Sequence, residues 1–270
     1  MKPPPPLSVA RICHTRRVSL SIFENERSTT PVKSGTQPWE YMVDLHSQHT
    51  IREEKSGPML GGYALNVGHR SDVYVSSRSI IQLDIDSKGE KDGGTGRLLK
   101  VTRSAPSIDV TGPLIGDFEW IANSTHWHEP GIGAIKYRIS ILPDRDILPD
   151  EHKPVLEALD EQLGGCLDRD AWPLSQAFYA PSCPAHAAQD AFIAHNTGRP
   201  LPVDVFVARG RQILAAREQL SAQSVANASP QPVRIPETPE NIRIVEGMLA
   251  AIPASGDRGP WRDVVWSTAC

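Results

Sequence analysis

The chain has 270 residues, of which 39% are hydrophobic and 22% are charged, a composition that provides a sizeable core and excludes wholesale disorder. The formal net charge of -4 excludes a protein that coats nucleic acid through bulk positive charge, so any such contact needs a local basic patch. No apolar run approaches the ~20 residues that a membrane span requires, and we therefore expect no membrane partner.

The four cysteines are scattered through the chain without CxxC spacing. They do not resemble a disulfide framework, so we expect a protein of the reducing cytoplasm. A zinc site can be drawn from two of them and two histidines, Cys166, Cys183, His186 and His195. The spacing of these four residues matches no compact zinc template.

The N-terminal third mixes irregular and strand-like sequence. Residues 1–36 are rich in Pro, Ser, Thr and Arg and predict a flexible segment, with one possible strand at "VSLSIF" (18–23). Residues 37–55 predict a helix before the charged "REEK". The short runs "MLGGYAL", "DVYVSS" and "SIIQLDID" then predict strands. The glycine-rich "SKGEKDGGTGR" (87–97) predicts a flexible loop.

The middle of the chain predicts two strands and one clear helix. The strands are "FEWIANST" and "IKYRISILP", and the helix is "PDEHKPVLEALDEQLGG". Asp150 is the predicted N-cap of this helix, and Gly164 and Gly165 are predicted to end it. Strands and helices that do not alternate as regular βαβ units predict an α+β domain over residues 37–216.

The C-terminal part predicts a linker followed by a small helical module. Residues 217–237 are polar and rich in Pro, Ala, Ser and Gln, which is typical of a linker. Thr238 is a predicted N-cap, with Pro239 at the first helical position. The module over 238–270 ends within an apolar stretch, so we expect the chain to be a fragment of a longer protein.

Three aspartates form a candidate metal site. On a strand through "SIIQLDID", Asp84 and Asp86 share the face opposite the apolar residues. Asp168 follows the predicted helix in "GGCLDRDAW", and Asp170 is its rival for the same role. Carboxylates from several elements suit Mg²⁺ or Mn²⁺. The competing interpretation is an acidic strand edge and a turn aspartate without a ligand.

Two cations and two histidines are candidates for contact with an anion or a metal. Lys136 and Arg138 share one face of "IKYRISILP" and suit the phosphates of a nucleotide, although a solvated face has the same pattern. His126 and His128, in "STHWHEPG", have the spacing of two side chains on one face of a strand. Taken alone, this pair favours a single metal ion with both imidazoles as ligands.

The order "LDID", "STHWHEP…YRISILPDRDILPDEH" and "LDRDAWPLSQAFYAPS" resembles the archaeo-eukaryotic primase superfamily over about residues 40–185. Its closest branch is the primase-polymerase type of plasmids, phages and integrated elements. The resemblance implies mixed sheets with flanking helices and an RRM-like element, followed by a helical primase module. The superfamily's DxD, Ser/Thr-x-His and final Asp motifs match Asp84 and Asp86, then "THWH" with His128 as the motif histidine, then Asp168.

The resemblance implies a metal-dependent nucleotidyltransferase that makes primers for a mobile element. Asp84, Asp86 and Asp168 would be the catalytic metal ligands for Mg²⁺ or Mn²⁺. His128, Arg138 and Lys136 would contact the nucleotide. The implied partners are a single-stranded DNA template, nucleoside triphosphates and a helicase domain, downstream or separate. His126 would be a neighbour without a role, so its replacement should do far less damage than that of His128.

Two other functions stay open. The first is a rolling-circle replication nuclease of the His-hydrophobic-His type, in which "HWH" would hold one metal ion and a tyrosine, Tyr137 or Tyr179, would attack DNA. A stable protein–DNA adduct would distinguish it from a primase. The second is a replication-initiator or binding module without catalytic activity, which would show no metal-dependent nucleotide binding.

Overall fold

The protein is described by a computed structural model that covers residues 15–227 and 238–250. The chain divides into two units, Met1–Ala215 and Ala216–Cys270. The first unit contains several sheets together with helices, which confirms the predicted α+β class. In the described part of the chain, no helix combines the length and the apolar character that crossing a membrane requires.

Strands predominate in the first two thirds of the chain, and the longest helices follow them. The strands are β1 (Arg17–Phe23), β2 (Lys33–Pro38), β3 (Thr50–Ile51), β4 (Met59–Gly61), β5 (Tyr63–Leu65), β6 (Val75–Arg78), β7 (Ile81–Asp86), β8 (Lys88–Lys91), β9 (Leu98–Arg103), β10 (Trp120–Ser124), β11 (Lys136–Ile141), β12 (Phe178–Tyr179), β13 (Ser182–Cys183) and β14 (Ile193–Asn196). The helices are α1 (Trp39–Leu45), α2 (Ile108–Thr111), α3 (Pro149–Gln162), α4 (Val203–Asn227) and α5 (Pro239–Ala250).

The first sheet contains the strand predicted near the N-terminus. Its strand order is β12-β4-β1-β2, and every neighbouring pair is antiparallel. In β1, Val18 and Leu20 point into the core because alternate residues of a strand share a face. The possible strand at 18–23 is confirmed as β1, whereas β2, at the end of the predicted flexible segment, was not expected. Residues 1–14 lie outside the described residues.

The second sheet carries the candidate metal ligands. Its order is β14-β10-β11-β7, again antiparallel throughout. The alternation in β7 is as predicted: Ile81, Leu83 and Ile85 are at most 1% exposed and join the largest core cluster. The polar residues between them consequently face the other side of the sheet.

Both faces of the second sheet are covered, and this explains why every residue of β10 and β11 is buried. On one face, Ile139 packs with Leu159 of α3 and Phe206 of α4 in the largest core cluster. On the other face, Ile121 belongs to a cluster with Leu20 of the first sheet. A site on this second face therefore lies between the two sheets.

The glycine-rich segment after β7 is a β-hairpin, so the predicted flexible loop over 87–97 is wrong. Strand β8 pairs antiparallel with β9, with Lys88 opposite Arg103. A Cβ atom at Gly89 would lie 1.9 Å from the carbonyl oxygen of Lys100, so the glycine allows the two strands to approach closely. Asp92 closes the turn by accepting hydrogen bonds from Gly94 N and Thr95 N.

The helices differ from prediction mainly at their ends. Helix α3 begins at Pro149 with Leu148 as N-cap, so Asp150 lies in the first turn rather than at the cap. Gly164 and Gly165 follow the helix with a φ of 76°, as the predicted stop signal requires. Helix α4 continues to Asn227, which replaces the first half of the predicted linker (217–237) with helix.

The start of the second predicted helix is confirmed. Helix α5 begins at Pro239, and the hydroxyl oxygen of Thr238 accepts a hydrogen bond from Asn241 N at 3.2 Å. This is the N-cap interaction that the sequence predicted. The rest of the predicted module, residues 251–270, lies outside the described residues.

Candidate functional site

Strand β7 places two carboxylates beside two cations of β11. In the antiparallel register, Asp84 lies opposite Arg138 and Asp86 lies opposite Lys136. Residues directly opposite each other share a face of the sheet, so each carboxylate meets its own cation. Nη2 of Arg138 lies 3.0 Å from Oδ1 of Asp84, and Nζ of Lys136 lies 2.6 Å from Oδ2 of Asp86.

The third carboxylate, Asp168, is held beside β7 by the main chain. Its backbone N donates a hydrogen bond to the carbonyl oxygen of Asp84 at 2.9 Å. Its side chain caps a short 3-10 turn by accepting from Asp170 N, and its Oδ2 lies 2.5 Å from Nζ of Lys88. The segment after α3 thus delivers a carboxylate to the strand that carries the other two.

The three aspartates form one candidate metal site. Asp84, Asp86 and Asp168 each offer a carboxylate oxygen, and these oxygens lie within 4.8 Å of one another. Among the residues that the structure describes, this is the only such group of three or more possible ligands. Oδ1 of Asp86 is buried without a hydrogen-bond partner. An oxygen-only donor set with an unused buried oxygen fits a hard divalent cation.

Opposing influences act on the pKa of the Asp84 carboxyl group. Burial is the largest influence and raises the pKa of its carboxyl group, and the negative charges of Asp86 and Asp168 raise it further. The guanidinium of Arg138 acts in the opposite direction. Carboxylates that repel one another in a buried position are stabilised by an added cation, as a metal site requires.

The aspartates open into a cleft of about 290 Å³ between the two sheets. The first sheet contributes Phe178 and Tyr179, and the guanidinium of Arg138 lies over the Phe178 ring, 4.2 Å from its centroid. Asp170, the rival of Asp168, also lines this cleft but is not one of the three converging ligands. Asp170 therefore lies at the rim of the site.

A cation that the sequence did not single out lies at this cleft. Lys55, from the loop between β3 and β4, lines both the carboxylate cleft and a smaller cavity next to it. Lys55 is exposed at the mouth of the cleft, yet the surrounding protein partly desolvates its ammonium group; this desolvation lowers the pKa of the group, as does the positive charge of Arg138. Within the described residues, Lys55 forms no ion pair, and its closest aromatic contact is the Tyr179 ring at 5.6 Å.

The structure places His126, not His128, beside this cleft. His126 lines the smaller cavity together with Lys55 and Arg138. Both rings are buried, with His126 4% and His128 7% exposed. His128 lines neither cavity: its Nδ1 accepts a hydrogen bond from Lys136 N, and its ring packs on Phe192. His126 therefore lies at the position beside the cleft where the sequence predicted His128.

A signal for His126 was present in the sequence. Ser124 precedes His126 by two residues, so "STH" fits the Ser/Thr-x-His spacing, whereas His128 is preceded at that position by a histidine. In the structure, Nε2 of His126 donates to the carbonyl oxygen of Glu53 and Nδ1 accepts from the Ser182 hydroxyl. Burial lowers the pKa of His126, so the imidazole is neutral near pH 7.

The tyrosines of the nuclease alternative are not placed for attack. The Tyr137 side chain is fully buried, its hydroxyl is hydrogen-bonded to Thr111 at 2.7 Å, and burial raises its pKa. Burial and the Glu26 carboxylate, to which its hydroxyl donates, raise the pKa of Tyr179 to about 12. Neither side chain is activated as a nucleophile.

The four residues of the possible zinc site are separated. Cys166 packs against the main core and Cys183 lies in β13. His186 is 3.0 Å from Glu129, and His195 is 2.8 Å from Glu119. Among the described residues they form no common group of ligands.

Comparisons with known proteins leave this site without an assigned family. No family model and no curated protein matches the chain. A search of solved structures finds the AEP domain of the cyanophage S-2L primase-polymerase (PrimPol), with 13% identity, a TM-score of 0.38, and coverage of 71% of this chain and 88% of that one. Identity and TM-score are both too low for this match to establish a shared fold or activity.

Proposed function

We propose that the protein is a template-dependent nucleotidyltransferase of the primase-polymerase type. The observation that carries this proposal is the convergence of Asp84, Asp86 and Asp168 in one cleft, where Arg138 and Lys55 also lie. Phosphoryl transfer requires carboxylates that hold divalent metal ions and, facing them, basic side chains that hold the phosphates.

The three aspartates are the proposed ligands of two Mg²⁺ or Mn²⁺ ions. Divalent ions bound there would lower the pKa of a 3′-hydroxyl group and neutralise charge on the triphosphate. Asp84 and Asp86 hold their positions through the pairing of β7 with β11, and Asp168 through its hydrogen bond to the Asp84 carbonyl oxygen. The ligands are thus fixed by main-chain structure before any ion binds.

The nucleotide's phosphates are proposed to lie against Lys55, His126 and Arg138. These residues line the smaller cavity, of about 10 Å³, that adjoins the carboxylate cleft, so the phosphates would occupy the cleft itself, beside Lys55 and Arg138. Arg138 donates from Nε and Nη2 to Asp84 and from Nη1 to the Tyr179 carbonyl oxygen, so only its remaining N–H groups would contact a phosphate. Lys55 supplies an ammonium group that the described residues leave without an ion pair. His126 replaces His128 in this proposal. Lys136 acts through Asp86, with which it is paired.

The non-catalytic alternative is less well supported by the same geometry. A binding module has no need for three converging carboxylates, one of which keeps a buried oxygen without a hydrogen-bond partner. The nuclease alternative requires an available tyrosine, whereas Tyr137 is buried and Tyr179 is bonded to Glu26. We therefore keep both only as outcomes of the experiment.

The experiment is primer synthesis on a single-stranded DNA template. Purified protein is incubated with labelled ribo- or deoxyribonucleoside triphosphates and Mg²⁺ or Mn²⁺, and products are separated by length. We expect template-dependent dinucleotides from the wild type and none from the Asp84→Asn/Asp86→Asn double variant. Asp170→Asn, which removes a rim carboxylate of the same cleft, is the matched control and should keep most of the activity.

Thermal unfolding of each variant separates loss of chemistry from loss of fold. Equal synthesis by the wild type and the double variant would refute the proposal. A protein–DNA adduct that survives denaturation would support the nuclease instead. Absence of both synthesis and metal-dependent nucleotide binding in the folded wild type would favour the binding module.

A further inference from the structure

The hairpin formed by β8 and β9 is a local basic feature in an acidic chain. Residues 88–103 contain five basic and two acidic side chains, whereas the whole chain has a formal charge of -4. Lys88 and Arg97 are paired with carboxylates outside the hairpin, which leaves Lys91, Lys100 and Arg103 as its other cations. The exposed cations of β9 are Lys100 and Arg103. Such a patch is the electrostatic feature expected of a surface that binds a polyanion.

The register of the hairpin places Lys100 and Arg103 on the hairpin face whose first residue, Lys88, lies beside the three aspartates. Arg103 lies opposite Lys88, and Lys100 lies opposite Glu90. Lys88 and Glu90 are two residues apart on β8. A register shift between Lys88 and Gly89 brings Lys100 and Arg103, three residues apart on β9, opposite them, so the four side chains share one face. Nζ of Lys88 reaches Asp168, which anchors that face at the candidate metal site.

An aromatic side chain adjoins the hairpin. Trp127 is half-buried, and its Nε1 donates a hydrogen bond to the carbonyl oxygen of Thr95 in the hairpin turn at 3.1 Å. Its ring meets that of His126 edge to face, with 4.5 Å between the centroids. Trp127 therefore connects the proposed phosphate cavity to the hairpin.

The hairpin is held in place before any partner binds. The buried Ser87, between β7 and β8, donates to the carbonyl oxygen of Gly133 and accepts from Ala105 N and Ile135 N. Arg97, at the other end of the turn, is paired with Glu129 at 2.7 Å. A preorganised surface loses little conformational freedom on binding.

From these contacts we infer that the β8–β9 hairpin and Trp127 form the binding surface for single-stranded nucleic acid. Lys100 and Arg103 contact successive phosphates of the strand, and Trp127 stacks on a base. Exposed cations beside an aromatic platform are the usual combination for a single strand, whose bases are available for stacking. The inference rests on the proposed function, because it identifies where the template enters the same cleft.

The test uses fluorescence anisotropy to measure how tightly a fluorescein-labelled single-stranded oligonucleotide binds to the full chain. Nucleotide and divalent metal ions are left out of the assay. Lys100→Ala/Arg103→Ala should weaken binding about tenfold or more at low salt. It should also reduce the slope of log affinity against log salt by about 1.4, because two phosphate contacts are lost. Lys33→Ala/Lys153→Ala removes two exposed lysines elsewhere and should leave both quantities near wild type.

Trp127 gives an independent measurement. Trp127→Ala should weaken binding about tenfold with an unchanged salt slope, since stacking involves no counterion release. Trp127→Phe keeps an aromatic ring without the bond to Thr95 and should restore most of the affinity.

The inference is overturned if the wild type does not bind the oligonucleotide, or if Lys100→Ala/Arg103→Ala weakens binding no more than the control pair. Binding of an acidic peptide but not of DNA would also overturn it. Normal priming by the wild type together with unaffected DNA binding by the hairpin variants would reject this surface and leave the proposed function intact.

Discussion

Nζ of Lys136 lies 2.6 Å from Oδ2 of Asp86, on the face of the second sheet that carries the candidate metal ligands. Arg138 has the same relation to Asp84, and Lys88 to Asp168. Each carboxylate of the site is therefore neutralised by one side chain of the protein itself. A divalent cation that enters the site has to compete with these three positive charges.

Replacing Lys136 should consequently make metal binding easier. Lys136→Met removes a positive charge from the immediate surroundings of the site, and Mn²⁺ without nucleotide should bind at least about tenfold more tightly. Titration calorimetry and the rise in melting temperature on adding Mn²⁺ measure this effect. Lys153→Met, at an exposed position of α3, is the control and should leave the affinity unchanged. Weaker Mn²⁺ binding by Lys136→Met would contradict this interpretation.

The two histidines should respond differently to replacement. His126→Ala should raise the KM for nucleotide about tenfold, because the ring lines the small cavity beside the proposed phosphate position; it should also lower the melting temperature, because the ring is buried and its bonds to Glu53 and Ser182 are lost. His128→Ala should reduce the free energy of unfolding by about 2 kcal/mol without raising the KM, because a buried ring and its bond to Lys136 N are lost and the ring lines neither cavity. Steady-state kinetics and urea unfolding distinguish these effects. The opposite pattern would restore His128 as the nucleotide-binding residue.

Helix α4 depends on a glycine where it crosses α3. A Cβ atom at Gly210 would lie 1.8 Å from the carbonyl oxygen of Pro154. Gly210→Ala should therefore reduce the free energy of unfolding by about 3 kcal/mol, although alanine is ordinarily the better helix former. Gly247→Ala, in α5 with no atom within 4 Å of the new Cβ, should not be destabilising. Equal melting temperatures of the two variants would show that α4 does not pack this closely.

The buried His46 should contribute to the loss of stability in acid. Its burial lowers its pKa to about 4, whereas the unfolded chain protonates near pH 6.5. The stabilisation is therefore fully present above pH 6.5 and is lost as the pH falls towards 4. When the pH is lowered from 7 to 5, the free energy of unfolding of His46→Gln should fall by about 2 kcal/mol less than that of the wild type. Parallel pH profiles from urea unfolding would contradict the assignment.

The elements with strong local patterns were predictable from the sequence. Strand β7 alternates apolar and polar residues, and this alternation alone places its two aspartates on one face. The third candidate ligand, Asp168, was also predictable, although pattern alone does not separate it from Asp170. Their convergence depends on the pairing of β7 with the segment after α3, a contact between distant parts of the chain.

The remaining features depended on packing that no local pattern records. The β8–β9 hairpin resembles a loop because of its glycines, yet Gly89 is required by the close approach of Lys100. The choice between His126 and His128 depends on how the chain turns after β10. Lys55 lies in a charged loop whose composition is typical of solvent exposure, and only the tertiary structure brings it to the cleft.

The most direct test of the site is to locate the metal ion. Anomalous scattering from a crystal of the full chain soaked in Mn²⁺ and a non-hydrolysable nucleotide should show a peak about 2.2 Å from carboxylate oxygens of Asp84, Asp86 and Asp168. We also expect Lys136 to have moved away from Asp86. A peak between His126 and His128, with none at the three aspartates, would contradict the proposed metal site and support the nuclease.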